Sequence, residues 1–60
     1  MKIMDYKEIL YEYLEELWDE PPIDDEETIR DWMFGAISYA YNAEIISFAE
    51  REKLFRKYEI

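Results

Sequence analysis

A compact all-α, three-helix bundle is the fold class that this 60-residue sequence predicts. Three observations predict it. Glycine occurs once, at Gly35, and the two prolines sit together at Pro21-Pro22, so helix breakers are few and clustered. No stretch alternates apolar and polar residues over strand length, whereas apolar residues recur at three- and four-residue spacing in three segments. Each of those segments opens on Asp or Ser with Glu three positions later, the signature of a capping box.

The first helix is expected over about 5–20. Asp5 and Glu8 form its box, and Met4 with Ile9 suits a hydrophobic staple. At 100° per residue, Tyr6, Leu10, Tyr13 and Leu17 fall on one line with Ile9 and Leu14 as shoulders. Pro21 stops the helix, because it lacks an N–H and disfavours helical geometry at Glu20. The second helix is expected over about 24–42, with Asp24 and Glu27 as its box. Ile29, Trp32, Met33, Ala36, Ile37 and Ala40 build a broad apolar arc, so this helix should be covered on more than one side. Gly35 inside it suggests close approach by a neighbouring helix, and Asn42 suits a left-handed C-terminal cap. The third helix is expected over about 47–58, capped by Ser47 and Glu50. Phe48, Leu54, Phe55 and Tyr58 make its apolar face, and Lys53, Arg56 and Lys57 the other. Ile23, Ile45 and Ile46 are placed to plug the ends of the core.

Residues 1–60 are read as a single domain. A chain of this length buries only about 60% of its unfolded surface, so one core is expected and a deep substrate cavity is not. The eleven aromatic residues (three Phe, two Trp, six Tyr) supply much burial per residue. Cysteine and histidine are absent, which removes thiolate metal sites, disulfides and the usual neutral-pH proton shuttle. No cofactor and no enzymatic activity are expected. Asp24-Asp25-Glu26-Glu27 lacks the alternating acidic loop with its glycine that wraps calcium. No apolar run reaches the ~20 residues that span a bilayer, and MKIMDYKE lacks the apolar core of a signal peptide, so a cytoplasmic location is expected. The net charge of −9 opposes direct binding to nucleic acid or an anionic membrane and favours a basic protein surface.

The segment ISYAYNAEIISFAEREKLFRKY (Ile37–Tyr58) resembles the helical hairpin of SHOCT-type short C-terminal domains. The shared pattern is a small residue, a turn with two aliphatics, a Ser cap and then E-x-x-x-L. The glycine usual in that turn is replaced by Asn42 and Glu44 nearby. In size, charge and lack of catalytic residues, the whole chain is similar to small acidic proteins of phages and mobile elements. Some of those inhibit host defence or DNA enzymes by imitating DNA. That resemblance implies an inhibitory role and assigns no residue.

Charge placement supplies the functional expectation. EELWDEPPIDDEE, Glu15 to Glu27, holds eight acids in thirteen residues and no base. Asp24 to Glu27 open a helix, where negative charge meets the positive dipole end and unpaired N–H groups. Glu15, Glu16, Asp19 and Glu20 close the first helix, where bases would be favoured instead. Glu8, Glu12, Glu15 and Asp19 repeat at like-charge spacings that oppose helix formation. Successive acids on that stripe rise by about 6, 4.5 and 6 Å, against a charge every 3.4 Å or so along one DNA strand. The expected partner-binding set is therefore Glu8, Glu12, Glu15, Glu16, Asp19 and Glu20, with Trp18 as an apolar anchor at its edge. A solvated face that keeps an aromatic-rich chain soluble is the competing explanation. A second candidate interface is aromatic: Tyr11, Phe34 and Tyr41 lie outside the central stripes and could serve a partner or a homodimer. Residues 1–46 carry thirteen acids and three bases, and residues 47–60 three acids and four bases. The third helix is thus placed to neutralise the acidic body, with Arg51 reaching an acid while its stem packs.

Overall fold

The protein is described by a computed structural model over residues 5–60. Three helices follow in order: α1 (Tyr6–Asp19), α2 (Glu26–Asn42) and α3 (Phe48–Tyr58). α1 and α3 both pack on α2, which is the centre of the fold as its broad apolar arc requires. The described residues contain no strand.

Leu10, Leu14 and Leu17 enter the core from α1, Ile29, Met33, Ile37 and Ala40 from α2, and Leu54 and Tyr58 from α3. Leu14, Met33 and Ile37 are fully buried and form its middle. Ile46 closes one end from the α2–α3 turn, with Ile45 packed against it. No polar or charged residue is buried among the described residues. The buried stripe of α1 is turned by roughly 40° from the expected line, on a wheel of 100° per residue. Leu14 is central rather than a shoulder, while Tyr6 and Tyr13 stand exposed. The physical reason is the side on which α2 docks, which covers the three leucines and leaves each of these two tyrosine hydroxyls wet at the rim. Trp32 likewise leaves the expected arc of α2 and is 43% exposed. Ile23 is exposed as well and does not plug the core.

Capping follows the sequence at one helix and departs at two. Ser47 accepts from the Glu50 N–H and the Glu50 carboxylate accepts from the Ser47 N–H, completing the box at α3. Asp5 accepts from the N–H groups of Lys7 and Glu8, and among the described residues Glu8 returns no bond. Met4, the other half of the expected staple, lies outside the described residues. At α2 the cap is Asp25, one residue later than expected. Its carboxylate accepts from the Thr28 N–H and, at 2.8 Å, from the Thr28 hydroxyl. The Thr28 hydroxyl bond takes the place of the return bond that Glu27 would make in an Asp24–Glu27 box.

The C-terminal turns also differ from expectation. Asn42 remains helical, and the left-handed residue is Glu44, at φ 62°. The Ile45 N–H reaches the Ala40 carbonyl and the Glu44 N–H reaches that of Tyr41, which together make a Schellman motif. α3 ends the same way, with Glu59 left-handed and the Ile60 N–H on the Phe55 carbonyl. In both turns the Glu-Ile pair places an isoleucine against the core while Glu takes the position glycine normally fills.

Gly35 has no close neighbour. A Cβ placed there meets nothing within 4 Å, so among the described residues no neighbouring helix approaches it.

Candidate functional site

The acids of α1 gather on one outer face because that face is diametrically opposed to the leucine stripe. Glu12, Glu15, Glu16, Asp19 and Glu20 line a single surface hollow of about 300 Å³. Glu8 is exposed one turn earlier on the same face and does not line the hollow. Among the described residues none of these six carboxylates forms an ion pair, and no group of carboxylates converges on a metal-sized position. The last turn of α1 contains no base. The arrangement can attract and hold basic side chains, and offers no reacting pair.

Trp18 is placed apart from that hollow. It is 41% exposed, and its ring lies 5.4 Å from that of Tyr58 on α3. It lines a shallow groove at the end of the bundle with Leu17, Pro21, Ile23, Ile29 and Arg30. The acids before α2 are used locally. Hydrogen bonds from Thr28, side chain first and backbone second, hold the Asp25 carboxyl below its usual range, and Glu26 stands 4.0 Å from Arg30.

The other candidate aromatics are engaged with α3. Phe34 stacks on Phe55 at 5.4 Å, and Tyr41 meets Phe48 edge-on at 6.2 Å. The Tyr11 hydroxyl donates to Glu50 at 3.4 Å. Arg51 lies over the rings of Tyr41, Phe48 and Phe55 and stands 3.7 Å from Glu52. Its stem packs as expected, and its Nε is buried without a hydrogen-bond partner.

Neutralisation of the acidic body by α3 does not occur as expected. The ion pair that joins α1 to α3 runs the other way, from Lys7 on α1 to Glu50 on α3 at 2.8 Å. The Lys7 hydrogen bond, reinforced by the Ser47 N–H, lowers Glu50 to about 2. The same bond raises Lys7. Burial, followed by the Glu50 charge, pushes the Tyr11 hydroxyl up. Lys53, Arg56 and Lys57 make no ion pair among the described residues, so acidic and basic faces remain separate on the molecule.

One surface escaped the sequence reading. α1 turns Lys7, Tyr11 and Trp18 toward α3. Tyr6, Ile9 and Tyr13 occupy its opposite flank, at 64%, 40% and 43% exposure. α2 turns Phe34 and Tyr41 toward α3, leaving Trp32 and Tyr39 on its opposite flank. Both flanks therefore border the α1/α2 seam on the side away from α3. The signal was present in the spacing. Tyr6, Ile9 and Tyr13 stand at i, i+3 and i+7, and so do Trp32, Gly35 and Tyr39. Each helix carries an amphipathic stripe beside its aliphatic one. No helix of the described residues is long and apolar enough to cross a membrane. Comparison with protein-family models, curated proteins and solved structures found no match for this chain.

Proposed function

We propose that this protein is a non-catalytic binding module that docks the acidic outer face of α1 on a basic, nucleic-acid-binding protein of the cytoplasm and blocks it. The observation that carries this reading is the shared hollow of Glu12, Glu15, Glu16, Asp19 and Glu20 at the negative end of the α1 dipole. Local stability gives no reason for that placement. The acids oppose the helix dipole, repel one another along the stripe and have no ion-pair partner among the described residues. A basic partner supplies the missing counter-charge. The similarity in size and charge to phage and mobile-element inhibitors supports the same reading, which casts the protein as an inhibitor competing with DNA for Arg and Lys.

Reversal of three of these charges is a clean test, because bases are favoured at a helix C-terminus. Glu15→Lys, Glu16→Lys and Asp19→Lys together should leave the fold intact and stabilise α1. Displacement of a labelled duplex from basic DNA-binding proteins, followed by anisotropy at low and high salt, measures the function. Wild type should compete, and increasingly so as salt falls. The triple variant should not. Equal competition by both, or none at low salt by wild type, would refute the proposal.

A further inference from the structure

We propose that the outer edge of the α1/α2 seam is a docking groove for a basic amphipathic helix of the partner protein. The proposal rests on the acidic-face reading and names what that face receives. The seam carries two exposed stripes of matching length. Tyr6 to Tyr13 and Trp32 to Tyr39 are each seven residue steps apart, about 10.5 Å of helix rise. Both have the 3–4 spacing by which helices interlock in bundles. A helix laid between them would meet apolar side chains over two turns and complete a four-helix arrangement.

Gly35 supports the same geometry. It lies between Trp32 and Tyr39, is exposed, and has open space where a Cβ would stand. Glycine at an exposed mid-helix position weakens the helix, and no contact among the described residues requires it. It would let an incoming backbone approach closely.

Charge decides which helix fits. Glu12 and Glu16 border the seam along α1, and Asp31, one turn before Gly35, borders it along α2, all exposed. The bases of these two helices, Lys7 and Arg30, lie on their α3-facing sides, with Lys7 held by Glu50. An apolar stripe flanked by Lys and Arg matches this frame. A second copy of the chain would bring acids against acids.

The test uses three synthetic peptides of about 18 residues, five helical turns. One carries a Leu stripe at 3–4 spacing with Lys and Arg elsewhere. One is its scramble, with equal charge and no stripe. One keeps the stripe with Glu in place of the bases. Titration into the full chain, by calorimetry, should show the basic stripe peptide binding at least tenfold tighter than either control. Trp32→Ala and Tyr13→Ala should abolish that margin, and Gly35→Gln should reduce it while circular dichroism shows each variant folded. Equal binding of the scramble would overturn the groove and leave the acidic-face reading standing. Absence of binding by any basic peptide would overturn both. Equal binding of the Glu-flanked peptide, or a protein dimer in sedimentation that is lost with Trp32→Ala, would overturn the proposed occupant.

Discussion

The two seams that flank α2 are built from similar residues and end in different states. On the α3 side, Phe34 lies against Phe55 and Tyr41 against Phe48, with Arg51 spread over three rings. On the α1 side, Trp32 and Tyr39 are 43% and 72% exposed and have no ring partner among the described residues. Phe34 and Phe48 are themselves 51% and 56% exposed, so ring pairing and not burial separates the two sides. Aromatic content is therefore a poor guide to burial in this chain. What separates the seams is whether the facing helix supplies a ring at the matching level. α3 does so with Phe48 and Phe55. α1 instead commits its leucines inward and leaves its tyrosines at the rim. The first seam contributes to the fold, and the second is free to contribute to binding.

Removing the core beneath both seams would break the comparison outright. Leu14→Ala or Met33→Ala, at fully buried positions, should cost about 2–5 kcal/mol. A domain this small has little more than that in total, so thermal melts should show a largely unfolded chain. The seams themselves come next. Phe34→Ala removes a stacked pair and should lower stability by about 1 kcal/mol in urea unfolding. Trp32→Ala should stay within about 0.5 kcal/mol of wild type. Equal losses would show that the α1-side aromatics hold the fold as firmly as the α3-side ones.

Two substitutions should stabilise. Gly35→Ala places a methyl in open space and should add up to about 1 kcal/mol. Glu44→Gly relieves a left-handed non-glycine residue and should add about 0.5–1 kcal/mol. If Gly35→Ala destabilises, the α1-side seam is closed rather than open.

The smallest effect concerns pH and the tie between α1 and α3. Glu50 is lowered to about 2 by Lys7 and the Ser47 N–H, so its contribution is full above the ordinary carboxylate value of 4.5 and is lost as pH falls toward 2. Lys7 is raised, so its contribution is present below 10.5 and is lost as pH climbs through the raised value. Melting temperature should fall at both extremes, and Glu50→Gln should flatten the acid limb. An unchanged acid limb would show that the tie carries no stability.

Much of the fold was legible because capping and periodicity are local. Three helices, their approximate limits and the complete Ser47–Glu50 box could be read directly. The errors mark where local chemistry meets topology. Asp25, not Asp24, is the cap, bonded to both the N–H and the hydroxyl of Thr28, a side-chain bond the D-x-x-E pattern does not reveal. Glu44 took the left-handed position because the Schellman bonds fix the turn at that residue, whatever its side chain. On the α1 wheel, Tyr6 and Tyr13 could not be told from Leu14 by apolar pattern alone. Only the side on which α2 docks decides between them. The acidic hollow was foreseeable from spacing, since Glu12, Glu15, Glu16, Asp19 and Glu20 share a face in any helix. The two stripes of the exposed seam were present in the spacing too, but that they border one seam was not, because it requires knowing which flank each helix turns toward α3.

Binding of the basic stripe peptide to Trp32→Ala and Phe34→Ala, side by side, tests the division between a folding seam and a binding seam most directly. Trp32→Ala should keep its stability and lose at least tenfold in affinity, while Phe34→Ala should lose stability and, below its melting temperature, keep wild-type affinity. Loss of affinity in Phe34→Ala with retention in Trp32→Ala would contradict the account.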